Sequence, residues 1–174
     1  FPASNALGET AWQPGAQMET PRWLAGSATL DGYVYVFGGV AGASLTGLSD
    51  CLTVERYDPA SDTWETVGTM PEARNAMVTL PIGDSIYLFG GEELALYTKD
   101  TVWKYTPSLE GTAEGPWKTD LHSIGYPTAP GQQITTAAGV EFDGKVYIFG
   151  GKYSTNVVPR VYAKWNHHQS TWCY

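Results

Sequence analysis

Basic residues are few. Ten Lys and Arg stand against eighteen Asp and Glu, and the net charge is −8. Nucleic acids and anionic membranes are held by clustered cations, so neither is expected as a partner. No apolar run approaches the roughly 18 residues of a membrane-spanning helix, and no membrane insertion is expected. No stretch repeats its apolar residues with a helical period. Histidine is limited to His122, His167 and His168, and cysteine to Cys51 and Cys173. The cysteines form no CxxC pair. Adjacent residues on a strand point apart, so His167 and His168 are poorly placed to share one ion. No metal and no other cofactor is expected. The nucleophile elbow, the phosphate-binding glycine loop with its Lys and the H-E-x-x-H zinc motif are all missing.

Turn formers are plentiful, with 20 Gly and 11 Pro, which suits short strands joined by tight turns. One stretch occurs three times: residues 31–39 (DGYVYVFGG), 83–91 (GDSIYLFGG) and 143–151 (DGKVYIFGG). Each copy is a turn pair, then β-branched and aromatic residues, then two glycines. The turn pair and the composition predict a strand opened by a hairpin turn. The copies lie 52 and 60 residues apart, which marks a repeat architecture.

The residues around the copies repeat too. Trp12, Met18 and Arg22 have the same spacing as Trp64, Met70 and Arg74. Small-residue segments follow at 25–30 and 76–80, as expected of strands packed closely on both faces. After Gly39 comes a loop at 40–49, expected to be flexible. An alternating strand follows at 52–57, then a turn at 58–62 with Pro59, then a short strand at 64–67. Four strands joined this way form one antiparallel sheet. The second unit repeats the order from Arg74, with a loop at 92–100. An insertion at 108–115 stretches its Tyr-to-Trp interval from seven to twelve. The third unit has no Met and Arg at its start, and Ile134 stands where Arg is expected.

A double glycine followed by a Tyr and then a Trp resembles the kelch repeat. The matching residues are Gly38, Gly39, Tyr57 and Trp64; Gly90, Gly91, Tyr105 and Trp117; and Gly150, Gly151, Trp165 and Trp172, with Trp165 in place of the usual Tyr. The resemblance covers nearly the whole chain from Trp12. It implies an all-β fold of kelch-type β-propeller blades, each a four-stranded antiparallel sheet of about 50 residues. The blades fall at approximately 22–67, 74–120 and 134–174, and residues 1–21 are expected to give the outer strand of a neighbouring blade. The glycines let the chain bend sharply, while the Tyr and Trp fill the wedge between blades. Propellers have about 4 to 8 blades, so three leave an incomplete ring. Another copy or the rest of a longer chain is expected to close it. One such closure pairs residues 11–17 with 158–164 of a neighbouring copy.

The functional expectation is a non-enzymatic binding or assembly module. Its loops meet a protein or glycan partner, and its open blade edges associate. The candidate binding residues are Arg22, Arg74, Glu92, Glu93, Tyr97, Lys152 and Tyr153. The two arginines are placed there because first strands of such propellers line the channel near one rim, where guanidiniums bind carboxylates. The alternative is a propeller enzyme acting on a sugar or a small acidic substrate. A disulfide between Cys51 and Cys173 would suit an oxidising compartment. The chain starts at Phe1, as a processed protein or a piece of a longer one would. The expected location is secreted or at the extracellular surface, with the cytoplasm as the alternative.

Overall fold

The structure is a computed structural model. It describes residues 13–42, 47–94, 99–121, 124, 135–153, 156–157, 161–166 and 171–173, and from residue 152 onward the backbone only. The first strand is the short β1 (Arg22–Trp23), followed by the hairpin β2 (Gly26–Leu30) and β3 (Tyr33–Phe37). The next loop carries β4 (Val40–Ala41) and β5 (Ser49–Asp50), before β6 (Thr53–Asp58) and β7 (Thr63–Thr69). The second unit is β8 (Val78–Ile82), β9 (Ser85–Phe89), β10 (Val102–Tyr105) and β11 (Trp117–Leu121). The third is β12 (Ala138–Phe142), β13 (Lys145–Phe149), β14 (Lys152–Tyr153), β15 (Asn156–Val157), β16 (Val161–Asn166) and β17 (Thr171–Cys173). Three four-stranded sheets result, in the orders β2-β3-β6-β7, β8-β9-β10-β11 and β12-β13-β16-β17. Every neighbouring pair in them is antiparallel, so each sheet is a meander, here called blades 1 to 3.

Local chemistry sets each hairpin. Asp31-Gly32 and Asp143-Gly144 have positive φ at both positions (51° and 84°, 50° and 69°), as a type I′ turn requires. Blade 2 reverses the pair to Gly83-Asp84, and there only Gly83 is positive, at 63°, the pattern of a type II′ turn.

The period of two along β9 explains its nearly unbroken apolar run. Ile86 and Leu88 join blade 1's Phe37 and Val54 in one core cluster. Phe89 lies on the opposite face, with Val146 and Ile148 of blade 3 in a second cluster. A strand buried on both faces has no solvent side to make polar. Fully burying one such side chain contributes about 1.5–3 kcal/mol.

The blades are also tied at their inner ends. Ala76 N–H donates to Leu24 O, and Thr136 N–H donates to Ala76 O, each at 2.8 Å. All three residues are left-handed, with φ of 53°, 53° and 57°. That conformation costs an L-residue about 1 kcal/mol. Its recurrence at one repeat position shows that the relay of hydrogen bonds depends on it.

Two expectations need amendment. Residues 13–21 form no strand, and side chains of blade 1 hydrogen-bond to their backbone. Asp62 accepts from Ala16 N–H at 2.8 Å, Trp64 Nε1 donates to Ala16 O at 2.9 Å, and Glu55 accepts from Glu19 N–H at 3.1 Å. The rest of that expected outer strand, residues 1–12, lies outside the described residues, as does Ile134. The loop at 40–49, of which residues 43–46 lie outside the described residues, also holds two short strands at its ends. β4 pairs with β1 on one side and β5 on the other, as a three-stranded ribbon on the rim.

Candidate functional site on the loop face

In a meander, the second strand ends at the same face where the first begins. The loops after Gly39, Gly91 and Gly151 therefore emerge beside the joints that start each blade. This loop face is the candidate site.

Arg22 and Arg74 stand at the joints, but neither reaches solvent. Arg22 Nη1 donates to Gly38 O (3.1 Å) and Thr53 O (3.0 Å), and Nη2 to Thr53 Oγ1 (2.7 Å) and the Glu55 carboxylate. Arg22 and Glu55 are both buried. Arg74 repeats the pattern: Nη1 donates to Gly90 O and Thr101 O, both at 3.1 Å, and Nη2 to Thr101 Oγ1 at 2.8 Å. Trp103 takes the place of Glu55, with the guanidinium 3.7 Å from its ring centroid. Burial pushes the Arg74 pKa down to about 10, so the side chain stays charged at neutral pH. Both arginines expected to bind a ligand are thus engaged within the fold. A planar fork of donors fits carbonyls converging from two strands, and the fold uses it there.

The acidic candidates do lie on the loop face. Glu92 exchanges backbone hydrogen bonds with Asn75, at 2.7 and 2.8 Å. Glu93 and Glu72 flank Lys99, at 3.9 and 3.4 Å. Asp50 accepts from Leu94 N–H with both oxygens at 3.2 Å, tying the loop of blade 2 to that of blade 1. Lys152 and Tyr153 pair through their backbone with Val157 and Asn156. Tyr97 lies outside the described residues.

The sequence reading missed the apolar part of this face. Trp23, Leu24 and Leu52 are exposed large hydrophobics at the joint and at the start of β6. A signal was available: blade 2 has Asn75 where blade 1 has Trp23, so the fold itself does not require an aromatic there.

The repeat aromatics sit away from this face. Tyr105 is buried and donates to Glu110 at 2.9 Å; burial, then that bond, raises its pKa. Trp117 Nε1 donates to Thr69 O at 2.9 Å, and the Tyr105 and Trp117 rings are 4.9 Å apart. Tyr57 and Trp64 form the matching pair at 5.0 Å. In blade 3, Trp165 and Trp172 are directly opposite in the β16–β17 register.

Among the described residues, no group of three or more His, Cys, Asp or Glu could hold a metal ion. Three shallow cavities of about 310 to 370 Å³ involve the third and fourth strands of blades 1 and 2. Residues such as Arg56, Glu65, Lys104 and Lys118 line them, without a nucleophile and base set together.

Cys51 is a free, buried thiol, and the side chain of Cys173, its expected disulfide partner, lies outside what the structure describes. Burial raises its pKa. In a Cys173→Ser variant, the remaining thiol should react with a disulfide reagent at least ~10-fold more slowly than in the denatured chain. Equal rates would show that the thiol is accessible.

The Kelch motif family model matches residues 21–71. Kelch-like protein 35 of Mus musculus is 29% identical over 143 residues, 82% of this chain and 22% of its own length. Kelch-like protein terF of Aspergillus terreus is 30% identical over 158 residues, 87% of this chain and 32% of its own length. The chain thus spans about a fifth to a third of these relatives. The solved structure of YjhT superimposes with a TM-score of 0.72 at 18% identity, over 94% of this chain and 54% of that one. Three antiparallel blades, the repeated glycine, Tyr and Trp positions, and these likenesses together place the chain in the kelch-repeat family, with propeller-type blades and no closed ring of its own.

Proposed function

We propose that the chain is a non-enzymatic binding module whose loop face engages a protein partner. One observation carries this: Trp23, Leu24 and Leu52 are exposed on the face that also carries Asp50, Glu72, Glu92 and Glu93. Exposed Trp beside aliphatic side chains, ringed by polar groups, is the composition of an interface centre. The acidic rim favours a partner with basic residues around an apolar anchor. The guanidiniums of Arg22 and Arg74, the cations expected at the rim, are both spent on the fold, so the engaged surface is assigned to the apolar and acidic groups of the loop face instead. The free Cys51 lends nothing to an extracellular location. Among the described residues no helix is long and apolar enough to cross a membrane.

Trp23→Asn tests the reading, since it installs the residue that blade 2 carries at this position. Proteins captured by the immobilised chain should bind at least ~10-fold more weakly, with an unchanged circular dichroism spectrum. Binding should also survive enzymatic deglycosylation of the captured material. If Trp23→Asn captures the same proteins equally well, the loop face is not the interface. If capture is lost on deglycosylation, the partner is a glycan.

A further inference from the structure

We propose that Lys104 and Lys118 of blade 2 hold a carboxylate group of a ligand, in the place that Glu65 occupies in blade 1. The strand registers fix the comparison. Arg56 is paired with Tyr35 on one side and Glu65 on the other. Lys104 is paired with Tyr87 and with Lys118. Arg56 and Lys104 thus occupy one repeat position, and Lys118 stands where blade 1 has Glu65.

Blade 1 surrounds its cation. Arg56 forms an ion pair with Glu65, and its guanidinium lies 4.3 Å from the centroid of the Tyr33 ring. Asp58 lines the same cavity. In blade 2 all three partners are replaced: Ser85 stands for Tyr33, Thr106 for Asp58 and Lys118 for Glu65. Ser85 and Thr106 are buried, and their hydroxyls bond to each other at 2.9 Å. Residues directly opposite on two strands have Cβ atoms about 5 Å apart, where like charges repel. Lys104 Nζ is 4.0 Å from Asp84, whose side chain is 80% exposed. Lys118 makes no ion pair among the described residues.

The insertion at 108–115, which blade 1 lacks, supplies the room. The two lysines line a cavity of about 370 Å³ whose walls all come from blade 2 and its insertion. The insertion folds on itself: Leu109 N–H donates to Thr106 O at 3.0 Å, and Gly115 N–H to Thr112 O at 3.2 Å. It contributes Leu109 and Glu114 to the lining, beside Trp117 and Asp120 of the outer strand. Glu114 and Asp120 make no ion pair with either lysine. Two ammoniums and two carboxylates leave the cavity neutral overall, which favours a single carboxylate over a phosphate dianion. A carboxylate has two oxygens, one for each ammonium, and such charge-assisted bonds are the strong ones. A free small acid and an acidic side chain of a partner share this chemistry.

Two-dimensional NMR of the lysine side chains in the full chain tests this. Sodium acetate should shift the Lys104 and Lys118 signals saturably, and sodium chloride at equal ionic strength should not. Lys118→Glu installs the blade 1 residue, so an internal carboxylate takes the place of the ligand. Acetate binding should weaken at least ~10-fold. The thermal midpoint should rise by about 1–4 °C, as an opposite-charge pair replaces a like one. Lys118→Met removes the second ammonium without replacing it, and should weaken acetate binding as much. A blocked Gly-Glu-Gly peptide separates the two sources. Binding at least ~10-fold tighter than acetate assigns the carboxylate to an acidic segment of a partner, since the cavity walls then add contacts; equal binding assigns it to a free small acid. Shifts that chloride reproduces, acetate binding that survives in either variant, or a midpoint that Lys118→Glu lowers or leaves unchanged would each overturn the proposal. The cavity shares no residue with the loop face, so the outcome with Trp23→Asn does not bear on it.

Discussion

Arg22→Met should destabilise the protein by about 3–5 kcal/mol, because it leaves a buried carboxylate with no opposing charge. Glu55 is fully buried, and its charged partner is Arg22. The substitution also strips donors from Gly38 O, Thr53 O and Thr53 Oγ1. Blade 2 supplies the internal comparison. Arg74→Met removes an equivalent fork, but Trp103 stands where Glu55 would, and the carboxylate it leaves, Glu72 at 3.3 Å, is half exposed and also paired with Lys99, so no buried charge is orphaned. It should cost less, about 2–3 kcal/mol. Adding Glu55→Gln to Arg22→Met should recover at least ~1 kcal/mol, since the charge is gone and an acceptor for Glu19 N–H remains. Urea unfolding of the wild type and the three variants measures all of this. If Arg22→Met and Arg74→Met cost the same, or Glu55→Gln makes Arg22→Met worse, the uncompensated carboxylate is not the cause.

Gly38→Ala should be at least as damaging, through the backbone. Its φ is +55°, and an added Cβ would lie 2.2 Å from Arg74 O. That carbonyl cannot simply withdraw, because it accepts from Gly39 N–H at 3.0 Å and anchors the next blade. Gly83 has a similar φ, +63°, with nothing within 4 Å of its Cβ position. Gly83→Ala should therefore cost only the left-handed penalty, about 1 kcal/mol. Gly38→Ala should cost more than about 3 kcal/mol or prevent folding, as overpacking against fixed backbone does. Equal thermal midpoints for the two variants would mean that the blades can slide apart without loss, and that the double glycine serves the turn alone.

The contrast between these glycines marks how far the sequence could be read. Their spacing was visible, and so was the sharp bend. That Gly38 presses on blade 2 while Gly83 faces open space depends on a residue 36 positions away from Gly38. The arginines are a harder case. Arg22 and Arg74 share a spacing from Trp and Met that marks them as repeat positions, yet spacing does not distinguish a rim from an interior. Burial was decided by carbonyls 16 and 31 residues along the chain from Arg22, and 16 and 27 from Arg74, converging on each guanidinium. Trp23 was passed over for the opposite reason: it lies outside the repeated pattern, and an unrepeated aromatic carries no periodic signal.

By itself, the sequence determined what local rules control. Alternation, turn pairs and double glycines act through the nearest few residues, so the strands, their hairpins and the three-blade count could be read directly. Only the tertiary structure decided which polar groups the fold consumes, that Cys51 is a buried free thiol, and that Val40–Ala41 and Ser49–Asp50 join β1 in a rim ribbon. Those outcomes depend on how neighbouring blades stack. Stacking brings together residues about 50 positions apart, and no local pattern encodes the solvent exposure that results.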